Sequence, residues 1–212
     1  MLKLESILRT EETKLYKTLS LTGKVLDLGG VKNSEYLKLA QGDFVVTSVN
    51  FDASTGCDVL HNLEQTPIPF PDSSYDAVVL NNTLEHIYHV QELVKESVRV
   101  LKKGGRIIIT IPFLFPEHPS PSDYWRFTEE SIRKMLEDNS MSEIYIQSLG
   151  TGVFTVCFHF VERLLPKSLR VLTYVLRPVV YMLDSIMYAV RKKGSKQKRK
   201  YYALGYFIVG TK

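Results

Sequence analysis

Two groups of residues in this chain have the types and spacing for chemistry. The first is the run V-L-D-L-G-G at 25–30, where the acid Asp27 ends an apolar stretch and Gly29 and Gly30 follow at once. Glycines there let the backbone turn tightly and approach a ligand without an intervening Cβ. In an open α/β sheet, ligands bind at that edge. The second group is dispersed, comprising His86, His118, Asp123, Tyr124, Trp125 and Arg126. His86 is a candidate proton acceptor near neutral pH, with His118 and Asp123 as further catalytic candidates; its competing reading is a helix-entry histidine bonded to nearby backbone. Tyr124 and Trp125 offer flat faces to a substrate, and Arg126 a fork for phosphate or carboxylate. The competing reading is a loop pinned by its own aromatics, with Asp123 pairing Arg126. No metal is expected, because His61, His89 and His159 lack ligand spacing. Cys57 and Cys157 read as small buried residues.

The elements that must position these groups alternate in type. Residues 2–19 place Leu2, Leu4, Ile7, Leu8, Leu15 and Leu19 at mostly helical spacing, a leading amphipathic helix broken near Thr10. A strand carries 25–28, a short helix is expected over 33–39, and the β-branched run 44–49 reads as a strand buried on both faces. Residues 57–60 form a weaker strand. Three prolines within 67–71 exclude helix and ladder. A strand over 75–80, a helix over 89–101 stopped by Lys102-Lys103-Gly104-Gly105, and a strand over 106–111 follow. The proline-rich segment after Pro112 is a long aromatic loop, Thr128 caps another helix, and 141–149 and 203–209 are the final strands. This order predicts an α/β fold built on a doubly wound parallel sheet.

Taken in order, the motifs resemble those of the class I S-adenosylmethionine-dependent methyltransferases. They are V-L-D-L-G-G, I-P-F-P-D-S-S-Y-D-A-V at 68–78, T-L-E-H-I at 83–87 and V-R-V-L-K-K-G-G-R at 98–106. The segment from Pro112 to Thr128 is also similar to one in methyltransferases associated with glycan or cell-envelope gene clusters. The resemblance implies a Rossmann-like, seven-stranded, mostly parallel sheet with one antiparallel strand, and S-adenosylmethionine as cofactor. It implies Asp27, Gly29, Gly30, Asn50, Phe51, Asn62, Leu63 and Asn81 as cofactor-binding residues, with Asp27 and the glycines facing the methionine portion. Three positions depart from the pattern: Val31 stands for its last glycine, and Asn50 and Asn62 for acids that accept from ribose and adenine. The expected reaction moves a methyl group to a hydroxyl of a glycan or lipid-linked acceptor held near Tyr124, Trp125 and Arg126. The alternative is a catalytically silent module that binds a membrane or protein partner. A nicotinamide enzyme is disfavoured, since G-x-G-x-x-G is absent.

Composition adds a local asymmetry. Residues 151–200 hold 11 Lys/Arg and 2 acids, a net of +9 against +4 for the whole chain, so the remainder carries −5. Within them Arg163, Arg170, Arg177, Asp184 and Arg191 recur every seven residues, one polar stripe on an otherwise apolar helical segment that Pro166 and Pro178 divide. The chain thus reads as a helical cap (1–20), a core (21–150), an apolar and basic insertion (151–200) and a closing strand (201–212). The insertion is a lid, a subunit interface or an interfacial helix on an anionic membrane surface; nucleic-acid binding through 192–200 is the weaker option. Two cysteines and no long apolar run predict a cytoplasmic protein, peripheral on the inner membrane face if the interfacial reading holds.

Overall fold

The computed structural model describes residues 5–150, 152–166, 169–190 and 202–212. Leu2, Leu4, Arg191 and the basic tract 192–200 lie outside the described residues. The strands are β1 (Gly23–Leu28), β2 (Phe44–Asn50), β3 (Val59–Leu60), β4 (Tyr75–Asn81), β5 (Leu101–Pro112), β6 (Ser142–Leu149) and β7 (Gly205–Thr211). They form a seven-stranded sheet in the order β3-β2-β1-β4-β5-β7-β6. The first five pair in parallel, while β7 runs antiparallel to both β5 and β6. The expected doubly wound sheet with one reversed strand is therefore present. β1 and β4 occupy its centre, and Val25, Leu26, Leu28, Val78, Val79 and Leu80 are fully buried. The carboxyl ends of β1, β2 and β4 consequently open onto one edge.

The helices are α1 (Ile7–Tyr16), α2 (Val90–Val100), α3 (Glu129–Asp138), α4 (Val153–Leu164) and α5 (Arg170–Val190). Ser6 caps α1 by accepting from the Arg9 amide, and Thr128 caps α3 by accepting from Ser131. α1 continues unbroken through Thr10. Only a 3-10 turn, Leu37–Leu39, forms where a helix over 33–39 was expected; Ser34 and Tyr36 are drawn instead to the Asp27 carboxylate. Lys102 to Gly105 are not a helix cap either, because β5 begins at Leu101, which pairs with Tyr75, and the ladder is bulged there.

The insertion carries the largest departure from ordinary patterning. Pro178 lies within α5 without ending it. Anchors on both sides of the proline hold the two halves in line. Arg177 pairs with Glu162 on α4 and reaches the Glu5 carbonyl and Thr10, while Asp184 accepts from the Phe154 and Thr155 amides and the Thr155 hydroxyl. The stripe turns inward at Arg177, 5% exposed, and Asp184, 0% exposed, whereas Arg163 is exposed and Arg170 half-buried. The apolar side faces out, with Val175 72%, Val190 76% and, on α4, Leu164 85% exposed. No described helix is long and apolar enough to cross a membrane. Cys157 is exposed on α4 and Cys57 is half-buried, so neither is the buried core residue expected.

Candidate active site at the carboxyl edge of the sheet

The site begins at the turn after β1. Asp27 is wholly buried, and its carboxylate accepts from Ser34 Oγ at 2.7 Å and from Tyr36 Oη at 2.6 and 2.7 Å. It stands behind the turn and braces it, whereas the resemblance placed it against the cofactor. Burial pushes its pKa up to about 6, partly offset by those hydrogen bonds. The folded state then holds more protons than the unfolded one between about pH 4 and pH 6, so stability falls as pH rises through that window, by up to about 3 kcal/mol. Asp27→Asn is expected to remove this portion of the slope, measured as the difference from wild type in urea unfolding at about pH 4.5 and about pH 7.

Gly29 turns the chain with φ +84° and borders a cleft of about 440 Å³. Asn50, Phe51, Asn62, Leu63 and Tyr124 line the same cleft, so five of the eight expected cofactor residues and one substrate candidate converge. Gly30 and Asn81 are not on its lining. Asn50 explains its own departure from the acidic pattern. Its Nδ2 donates to the carbonyls of Gly29 at 3.1 Å and Gly30 at 3.0 Å, and its Oδ1 accepts from the Asp52 amide at 3.1 Å. A carboxylate has no proton to donate to those carbonyls, so an amide is required to tie β2 to the glycine turn. Asn62 likewise accepts from the Glu64 amide, and Phe51 is exposed on the cleft wall. The cleft has the size of a cofactor site, an aromatic wall, and a backbone turn that leaves room where a side chain would stand. Its size and lining fit S-adenosylmethionine, and Gly29, Asn50, Phe51, Asn62 and Leu63 are the expected cofactor residues that would face it.

A second pocket of about 300 Å³ adjoins the first; Asn82, His86 and Ser120 line both. Its far side is made by Arg9, Glu12, Asn81, Phe115 and His118. Asn81 accepts there from Tyr16 and Thr110. Asn82 adopts φ +50°, a strained conformation for a non-glycine residue, and donates to Glu12 at 3.1 Å. Glu12 is 2% exposed, paired with Arg9 at 3.1 Å, and its pKa is raised by burial. It was not among the sequence candidates. Its signal was an acid at the buried position between Leu8 and Tyr16, four residues from each.

The loop after β5 resolves the two readings of 123–126. Arg126 makes a forked pair with Asp123 at 2.6 and 2.7 Å, and also donates to the Phe115 and Pro116 carbonyls. It pins the loop and is not free to take a substrate phosphate. That contact pulls the Asp123 pKa down to about 2. Trp125 donates its indole N–H to the Ile87 carbonyl and packs near Tyr88 and Phe127, whereas Tyr124 keeps a face on the cleft. His86 and His118 meet edge to face at 5.1 Å, and Glu85 beside them raises the His118 pKa.

Residues 26–109 match the sequence profile of a family described as a methyltransferase domain. The chain is 26% identical over 136 residues to a demethylmenaquinone methyltransferase of Tropheryma whipplei, covering 58% of this chain and 56% of that protein. It is 27% identical over 143 residues to a ubiquinone/menaquinone biosynthesis C-methyltransferase of Pseudoalteromonas translucida, covering 58% and 57%. The chain thus spans little more than half the length of these curated relatives. A SAM-dependent methyltransferase from Archaeoglobus fulgidus shares the fold at 14% identity, with a TM-score of 0.59 and 94% of each chain covered. So does the Haemonchus contortus phosphoethanolamine N-methyltransferase 2 solved with S-adenosyl-L-methionine, at 15% identity and a TM-score of 0.59, covering 96% of this chain and 52% of that one. Sheet order, cleft and the methyltransferase-domain match over residues 26–109 agree on the fold of the class I S-adenosylmethionine-dependent methyltransferases.

Proposed function

We propose that the chain transfers a methyl group to an acceptor seated in the smaller pocket, the reacting atom being a hydroxyl oxygen or a ring carbon activated by one. The observation that carries this reading is the shared wall of Asn82, His86 and Ser120, across which a donor and an acceptor would meet. When bound, S-adenosylmethionine supplies a methyl carbon on a positively charged sulfur, which departs with the C–S electron pair as the acceptor atom bonds to that carbon. The protein aligns the acceptor and keeps water away. Glu12, His86 and His118 surround the smaller pocket, and Glu12, kept basic by burial, is placed to take the acceptor proton.

A hydroxylated ring on an apolar body suits these features. The relatives named for quinone methylation support it, and the outward apolar face of α5, followed in sequence by the basic residues 192–200, supports delivery of a lipid-linked acceptor from an anionic membrane surface. A glycan acceptor has no comparable support. The paired pockets favour an enzyme over a silent binding module.

Radiolabelled S-adenosylmethionine offered with a short-chain hydroquinone, a prenylated hydroquinone in anionic liposomes, and a disaccharide tests the reading. Label is expected in the hydroquinone arms, faster from liposomes, and lowered about a hundredfold or more by His86→Ala. No label in any arm, or label in the disaccharide alone, would contradict it.

A further inference from the structure

Glu85 is wholly buried, and neither of its carboxylate oxygens has a hydrogen-bond partner. The groups facing it are electron-rich as well. His86 Nδ1 lies 2.5 Å from the Ser122 carbonyl oxygen. A carbonyl only accepts, so Nδ1 carries a proton, and in the neutral ring the Nε2 lone pair lies 3.7 Å from Glu85 Oε1. His118 repeats the arrangement. Its Nδ1 is 3.2 Å from the Pro116 carbonyl and 3.2 Å from Asp123, which leaves Nε2 3.7 Å from the same Glu85 oxygen. One ligand atom from each of the three residues lies within 4.8 Å of the others. Arg126, the guanidinium on the same loop, is committed to Asp123.

With both rings neutral, two imidazole lone pairs from half-buried histidines and the buried Glu85 carboxylate are stabilised by a positive charge at their centre, whether a proton or a metal ion. Ligand atoms around a tetrahedral ion at about 2.1 Å stand about 3.4 Å apart, so the two 3.7 Å separations need a contraction of a few tenths of an ångström, and the two imidazoles, whose ligand atoms lie within 4.8 Å, would close by up to about 1.4 Å. The outward hydrogen bonds of both histidines, to carbonyl and carboxylate, are those that orient imidazoles toward metals. The frame is also tied together: the Tyr124 amide donates to the Glu85 carbonyl at 2.8 Å, joining the loop that carries His118 to the turn that carries Glu85 and His86.

We propose that Glu85, His86 and His118 bind one divalent cation of the zinc, iron(II) or manganese class, with an open coordination position toward the smaller pocket. Two nitrogens and one oxygen select such ions over calcium or magnesium, which prefer all-oxygen sets. Resting on the methyl-transfer reading, the cation would hold the acceptor hydroxyl oxygen and acidify it, the proton passing to Glu12. This site differs from the histidines whose sequence spacing argued against a metal.

The test is calorimetric titration of chelator-treated protein with Zn²⁺ and with Mn²⁺, in the absence of cofactor and acceptor, with the visible spectrum of the Co²⁺-loaded protein as a second readout. Wild type is expected to bind one equivalent. His118→Ala should bind about a hundredfold more weakly and lose the Co²⁺ bands while remaining folded by circular dichroism, and His61→Ala should match wild type. No binding by folded wild type would mean that a proton shared by His118 and Glu85 is the only occupant, and would overturn the site. Unchanged binding by His118→Ala would overturn it too. Because the titration uses neither donor nor acceptor, failure of methyl transfer would not affect its outcome, nor would absence of metal refute methyl transfer.

Discussion

Gly30→Ala is expected to destabilise the protein by about 3 kcal/mol and to weaken cofactor binding about tenfold or more. A Cβ there would stand 2.0 Å from Asp27 Oδ2 and 2.3 Å from Asp27 Cγ. Asp27 cannot step aside, because it is wholly buried and Ser34 and Tyr36 hold both of its oxygens. The turn itself must therefore move, and Asn50, whose amide grips the Gly29 and Gly30 carbonyls, moves with it. Gly104→Ala is the control. Its Cβ meets nothing within 4 Å, so only the strain of φ +76° remains, about 1 to 2 kcal/mol. Urea unfolding of both variants should separate them, and equal losses would show that close packing behind the turn is not what selects glycine.

Arg177→Ala is expected to be at least as damaging, by about 3 to 5 kcal/mol, since it strands Glu162 in the interior. Arg177 and Glu162 are 5% and 4% exposed. The guanidinium also lies 3.9 Å from the centre of the Tyr174 ring. The double variant Arg177→Met with Glu162→Leu should recover most of the loss, because an apolar pair of similar volume leaves no buried charge. Chemical denaturation of the single and double variants measures both. A single-variant loss below about 1 kcal/mol would contradict the inward placement of the polar stripe.

The central sheet was legible because its strands are apolar runs closed by specific turn residues, and V-L-D-L-G-G could only turn sharply after β1. The heptad of Arg163, Arg170, Arg177 and Asp184 was equally legible as a stripe, but periodicity gives the phase of a helix and not which face is buried. Here the polar face found partners in α1 and α4, reversing the usual sense. The short helix expected over 33–39 failed for a tertiary reason, the pull of Asp27 on Ser34 and Tyr36. At the site, Asn50 looked like a defective ribose acceptor until its two carbonyl partners were seen. Glu12 and Glu85 were hidden because each is placed by contacts with segments distant in sequence: Glu12 is held at the smaller pocket by Asn82, and Glu85 is set beside the histidines by the loop bearing His118 and Tyr124.

The central claim is that the cleft beside Gly29, Asn50 and Phe51 holds S-adenosylmethionine. Calorimetric titration with S-adenosylhomocysteine, which keeps the adenosyl and amino-acid parts and cannot react, tests it most directly. The account predicts a single site, occupied one to one and weakened by Gly30→Ala. No heat and no thermal shift at millimolar ligand, with wild type shown to be folded, would contradict it.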